Sequence, residues 1–326
     1  YFADHAARVA HARHFFDTRL AARTGGSLVS LGAALTEVNL ISIEDSGNEI
    51  AVARDFDLPI TAHTGTLSTP DSVSKLRRAG LLGPRMLHVH CNASSDDELK
   101  MIADSGGSLS VTPETELQMG MGIPVTNRAL AVGLQPTLGI DIVSDYSGDM
   151  FAQMRIALQT ARAVDNQKIL DAGKMPATIG LKVADAFAFA TINGARAIGL
   201  EDSIGSLEVG KQADIILVRQ DGIPHAPRAE DPLASLVLQA RPSDIDSVFV
   251  AGVARKHNLK ASFMAKPFVE WPGSGMHVHV SLEDGNGNIF SDAALGEIRL
   301  GHAIKGLLDS MQAAHLLFVS TFNGFR

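Results

Sequence analysis

Apolar residues recur at helical spacing over 1–22 (Phe2, Ala6, Val9, Phe15, Phe16, Leu20), and Gly25-Gly26 closes that segment. The apolar run SLVSLGAAL at 27–35 reads as a buried strand. From there strand and helix patterns alternate. A helix over 46–56 leads to a strand over Leu58–His63. Thr69 and Pro70 take the N-cap and first-turn places of the next helix, which stops near Gly80. Strand Met86–His90 follows, then Ser95-Asp96-Asp97-Glu98, a capping box whose helix ends at Gly106-Gly107. Residues 108–112 read as strand and 126–132 as a helix ended by Gly133. Gln135–Ile140 reads as strand, and an amphipathic helix runs from Gly148 to Val164. This alternation predicts an α/β fold with a parallel sheet, its chemistry placed where strands end and loops begin.

Composition narrows the class. The 326 residues suffice for two domains, or for one barrel with an appendage. A net charge of −8 without a Lys/Arg run argues against nucleic acid or an anionic membrane as partner. A small-molecule substrate and a homo-oligomer are the partners expected. Cys91 stands alone, which excludes an intrachain disulfide and fits a reducing, cytoplasmic compartment. No apolar run approaches the roughly 20 residues of a membrane span. The start, YFADHAARVAHARHFF, is too charged for a signal peptide and lacks Met, so a cut edge is expected there.

Candidate chemistry lies at strand ends. LPITAH, MLHVH and PTLGID finish apolar strands on His63, His90 and Asp141, three successive metal-compatible ends. His-Val-His also occurs twice, at 88–90 and 277–279. Residues i and i+2 of a strand share a face, so each triplet can aim two imidazoles at one point.

These residues resemble the amidohydrolase superfamily, in its branch of cytosine deaminases, triazine hydrolases and S-adenosylhomocysteine-type deaminases. The resemblance covers about 1–253 and rests on ITAHTG, VHCN, LGIDIVSD and the closing segment ATINGARAIGLEDSIGSLEVGKQADIILV at 190–218. It implies a partial (β/α)8 barrel over 1–200 and a small β-sandwich segment over 201–253, with strands at 213–218 and 245–253. It also implies Zn2+ or Fe2+ at the barrel mouth, lowering the pKa of a bound water to about 7. His63 then serves as metal ligand, and Asp141 as metal ligand and proton acceptor. His90 orients the attacking hydroxide or polarises the substrate carbon. Glu114 and Glu116, in TPETE after the next strand, become substrate contacts, and His88 a barrel-interior residue. The family's strand-1 His-x-His has no counterpart before His63. Strands 1–3 are therefore expected to be missing, leaving two metal ligands and an open edge at strand 4.

From about Ala254, KPF followed by GSGMHVHVSL resembles the catalytic domain of glutamine synthetase and of relatives that ligate glutamate to amines such as putrescine. Gly273 and Gly275 permit close backbone approach to a ligand. Met276–Leu282 alternates as a strand with His277, His279 and Ser281 on one face, Asp284–Gly287 reads as a hairpin turn and 296–314 as a helix. The resemblance implies that His277 binds Mg2+ or Mn2+ bridging the nucleotide phosphates. His279 and Ser281 then contact ATP, and Gly273 lies at the glutamate site. The family's metal-binding glutamates and substrate arginines have no counterparts in this fragment, 254–326. No linker separates the two parts. The expected function is a metal-dependent amidohydrolase that hydrolyses or deaminates a C–N bond, incomplete in this chain. The alternatives are an ATP-dependent glutamate–amine ligase from the C-terminal fragment, or an inactive chimeric or truncated protein.

Overall fold

The computed structural model describes residues 4–21, 29–66, 70–143, 146–212, 214–219 and 232–249, together with five short strand segments beyond them. The elements run α1 (His5–Ala21), β1 (Val29–Ala34), α2 (Ile43–Asp55), β2 (Ile60–Thr64), α3 (Ser72–Arg78), β3 (Met86–His90) and α4 (Asp96–Asp104). They continue β4 (Ser108–Val111), α5 (Pro113–Gln118), α6 (Thr126–Ala131), β5 (Pro136–Leu138), α7 (Met150–Asp171), α8 (Val183–Phe189) and α9 (Ile192–Ala197). β6 (Ile215–Val218), α10 (Pro232–Gln239) and β7 (Ile245–Phe249) complete the labelled set.

Local chemistry accounts for most boundaries. Ser42 starts α2 earlier than the apolar pattern predicts, because its hydroxyl accepts the Asp45 N–H at 3.0 Å. The predicted capping box is present: Ser95 Oγ accepts from Glu98 N–H, and the Glu98 carboxylate accepts from Ser95 N–H, each at 3.2 Å. Two boundaries differ from expectation. The N-cap of α3 is Asp71, and Thr69 lies outside the described residues. α7 continues past Val164 to Asp171, where Gly173, at φ +73°, permits the left-handed turn that ends it. The TPETE segment after β4 opens the short helix α5, with Pro113 in its first turn.

β1 to β5 pair in chain order, every neighbour parallel, as the alternation predicts. This is a partial α/β barrel. One side of its core packs Ala12 and Phe16 of α1 against Ile50 and Ala53 of α2, Ile60 of β2 and Leu76 of α3. The other side gathers Leu99, Leu109, Val111, Leu158 and Phe189. One charge lies within the first side. Glu49 is fully buried and accepts from Thr36 N–H at 2.8 Å and Thr36 Oγ1 at 2.9 Å. His5 Nε2 at 3.2 Å and Arg8 at 3.3 Å complete its surroundings, so one carboxylate ties α1, α2 and the end of β1 together.

The edge of β1, expected to be open, carries a parallel strand, His315–Val319, in register from Val29↔His315 to Ala33↔Val319. That strand is absent from the sequence-based expectation, and the helix expected over 296–314 lies outside the described residues. β6 and β7 form an antiparallel pair. The hairpin predicted in the C-terminal region is present, Glu283–Asp284 pairing with Gly287–Asn288. No helix among the described residues is long and apolar enough to cross a membrane.

Candidate functional site

The C-terminal ends of β2, β3 and β5 open on one side of the sheet. Register aligns Thr64 with His90, which places His63 and His90 at neighbouring strand ends. The backbone then turns sharply. His90, Cys91 and Asp141 have φ of +71°, +60° and +70°. A left-handed conformation costs a non-glycine residue about 1–2 kcal/mol, so it persists only where the surroundings impose it. The other described non-glycine residues with positive φ, Asp57 and Arg85, close turns that immediately precede β2 and β3.

His90 is buried and stands between two carboxylates. Its Nδ1 is 3.2 Å from Glu116 Oε1 and 3.0 Å from Thr112 Oγ1, and its Nε2 is 3.9 Å from Asp141 Oδ2. The half-exposed His63 ring stacks on it, with centroids 5.3 Å apart and planes inclined by 26°. His63 Nδ1 faces Glu37 Oε1 at 3.4 Å. Glu116, on α5, has no solvent-exposed surface. Its Oε1 accepts the Thr112 N–H at 2.7 Å and its Oε2 accepts from Asn92 Nδ2 at 3.1 Å. Glu114 turns instead toward α7: its Oε2 accepts from Gln153 Nε2 at 2.9 Å and from Ser147 Oγ at 3.1 Å.

His88 lies one pleat deeper and is fully buried. Burial pushes its pKa from 6.5 down to about 4, so the ring is neutral near pH 7. Its Nδ1 is 3.1 Å from Thr64 Oγ1, which also lies 3.2 Å from Cys91 Sγ. Burial pushes the Cys91 thiol up to about 12. Both groups are uncharged packing residues beneath the mouth.

The structure therefore brings His63, His90 and Asp141 together, with Glu116 behind His90. These residues do not by themselves form a metal centre. Among the described residues no group of three His, Cys, Asp or Glu side chains is disposed to hold an ion. The His63 ring stacks on His90, and its Nδ1 faces Glu37. Gly273, His277 and His279 lie outside the described residues. Ser281 lies in the short strand Val280–Ser281, whose partner is Ser262–Phe263.

Sequence reasoning missed Glu37, Asn92, Thr112 and Gln153 as members of this arrangement. Thr112 and Glu116 are one helical turn apart, a spacing that lets the carboxylate fold back on the Thr112 N–H. Glu37 has no such signal, because its proximity to His63 comes from strand pairing.

Residues 50–255 match the amidohydrolase family and residues 247–326 match the catalytic domain of glutamine synthetase. The two ranges overlap at 247–255, beginning within β7. A 5-methylthioadenosine/S-adenosylhomocysteine deaminase from Moorella thermoacetica is 36% identical over 183 residues, which is 55% of this chain and 40% of that protein. An adenosine deaminase from Xanthomonas campestris with bound zinc superposes with a TM-score of 0.63 at 26% identity, over 74% of this chain and 54% of its own. A mutant atrazine chlorohydrolase from Arthrobacter aurescens, complexed with zinc and atraton, gives a TM-score of 0.58 at 20% identity, over 75% of this chain and 53% of its own. The chain thus spans about half, or less, of the relatives it matches. The family match over 50–255 takes in more than half of the sequence, and on that ground the chain belongs to the amidohydrolase family.

Proposed function

We propose that this chain carries part of the active site of a metal-dependent amidohydrolase that deaminates an adenine-type ring on a small molecule. The observation that carries this reading is the grouping of His63, His90 and Asp141 at the same end of the sheet, the His63 ring stacked on His90 and Asp141 3.9 Å from His90 Nε2. The named deaminase relatives, one of them with bound zinc, favour the substrate class and favour Zn2+ over Fe2+. His63 and Asp141 act as metal ligands only in company with further donors. His90 presents Nε2 toward Asp141 and the open mouth, where it orients the reacting group. Asp141, about a quarter exposed, is placed to accept a proton. We assign 1–200 to the partial barrel, 201–253 to the small β segment and 254–326 to the synthetase-like region.

The test is zinc content by elemental analysis together with turnover of 5-methylthioadenosine. The expected result is that His90→Asn and Asp141→Asn each lower the rate by roughly 10²–10⁴-fold. A chain that neither retains zinc nor turns over any adenine nucleoside sinks the proposal. A second reading rests on the synthetase match at 247–326. In it His277, His279 and Ser281 contact Mg2+-ATP or Mn2+-ATP and Gly273 lines a glutamate site. Calorimetry with Mg2+-ATP decides it, and absence of binding removes it.

A further inference from the structure

Glu116 combines features that are costly apart and coherent together. It is a carboxylate with no exposed surface, and burying such a group is expensive unless donors surround it. Three groups at the ends of β3 and β4 surround it. The Thr112 N–H, at the end of β4, donates at 2.7 Å. The Asn92 amide, following β3, donates to the second oxygen at 3.1 Å. The His90 ring brings Nδ1 to 3.2 Å. Asn92 Nδ2 is itself held by the Ile123 carbonyl at 3.1 Å. The carboxylate therefore has little freedom to rotate away from His90.

This arrangement has a consequence for the imidazole. A carboxylate collecting two other N–H donors is an acceptor, so the nitrogen facing it carries a hydrogen. Thr112 Oγ1, 3.0 Å from the same nitrogen and 3.4 Å from Glu116 Oε1, can accept from the ring while donating to the carboxylate. We propose that Glu116, braced by Thr112 and Asn92, is a positioning residue that holds the His90 ring in one orientation with hydrogen on Nδ1, so that Nε2 is the nitrogen presented to Asp141 and the mouth. The left-handed backbone at His90 agrees with this role, since such a conformation persists only where the surrounding structure imposes it. Without the carboxylate, the ring is free to flip about its Cβ–Cγ bond or to carry its hydrogen on Nε2. The chemical meaning of the orientation rests on the amidohydrolase reading, but the orientation itself does not.

The experiment is long-range 1H–15N correlation NMR on this 326-residue chain with 15N-histidine, His90 being assigned by the peaks that vanish in His90→Asn. The expected wild-type pattern is a protonated Nδ1. In Glu116→Gln, Nδ1 should move toward the unprotonated range while Nε2 moves the opposite way, with the other histidines unchanged. Asn92→Ala retains the carboxylate but removes a brace, and should shift the same two signals by a smaller amount; it serves if Glu116→Gln does not fold. An unprotonated Nδ1 in the wild type, or unchanged His90 signals in a folded Glu116→Gln, overturns the proposal. The readout needs neither substrate nor metal. A shifted tautomer in a chain that lacks turnover therefore leaves this inference standing and counts only against the proposed activity.

Discussion

Gly65 follows β2 two residues after His63 and is held from both sides. Its N–H donates to Ser72 Oγ at 2.6 Å, and its carbonyl accepts from Ala93 N–H at 2.7 Å. Its φ is +59°. A Cβ added there would lie 2.0 Å from Ser94 Oγ, 3.0 Å from Ser94 N and 3.1 Å from Ser94 Cβ. Gly65→Ala therefore carries two penalties. The left-handed conformation costs about 1 kcal/mol. Forcing a methyl into occupied space costs about 1–3 kcal/mol, and the two hydrogen bonds limit relaxation. The expected loss is about 2–4 kcal/mol, a large share of a typical domain stability of about 5–15 kcal/mol. Urea unfolding followed by circular dichroism measures it as a lower midpoint with an unchanged slope. Ser94→Ala deletes the atom at 2.0 Å and leaves the backbone contact at 3.0 Å, so it should recover about 1–2 kcal/mol in the double variant. A Gly65→Ala variant within about 0.5 kcal/mol of wild type, or strictly additive variants, refutes the steric account.

Other outcomes follow from the buried groups and the sheet edge. His88 has a folded pKa of about 4 against 6.5, so the unfolded chain binds its proton first as pH falls. Stability should be full above about 6.5 and decline by roughly 3 kcal/mol toward pH 4, a decline that His88→Asn reduces; identical pH profiles for the two chains count against it. The Cys91 thiol, pushed up to about 12 and buried, should react with a thiol reagent at pH 8 only as fast as the chain opens. Rapid labelling in native buffer contradicts that. Glu49→Leu leaves His5, Arg8 and the Thr36 N–H without their common acceptor, and about 3 kcal/mol should be lost in a urea melt; a loss under about 1 kcal/mol shows the carboxylate to be incidental. Replacing both Leu316 and Leu317 by proline removes adjacent N–H groups, one of which faces β1, so light scattering should register association through the exposed edge. An unchanged mass places no protective role on that strand.

Where the sequence was legible, the physics is local. Strand Met86–His90 shows in alternating burial, and Ser95–Glu98 in a reciprocal cap that closes within four residues. The ends of α2 and α7 were less legible, because a single serine or glycine moves a boundary without disturbing the apolar period. Glu114 and Glu116 look equivalent in TPETE. They separate only because α5 turns one toward Gln153 and Ser147 and the other inward beneath His90. The strand over His315–Val319 has apolar character in sequence, but nothing local connects it to Val29–Ala33, nearly the whole chain away.

By itself the sequence determined that apolar strands end on His63, His90 and Asp141, and that strands and helices alternate, because side-chain period and capping are properties of neighbouring residues. It also carried the match to two families in one chain. Only the tertiary structure decided that the His63 and His90 rings stack, that Nε2 of His90 faces Asp141 at 3.9 Å, and that Glu116 closes the other side. Those relations depend on strand register and on left-handed turns at His90 and Asp141. Both are set by packing between segments far apart in the chain, which no local pattern encodes.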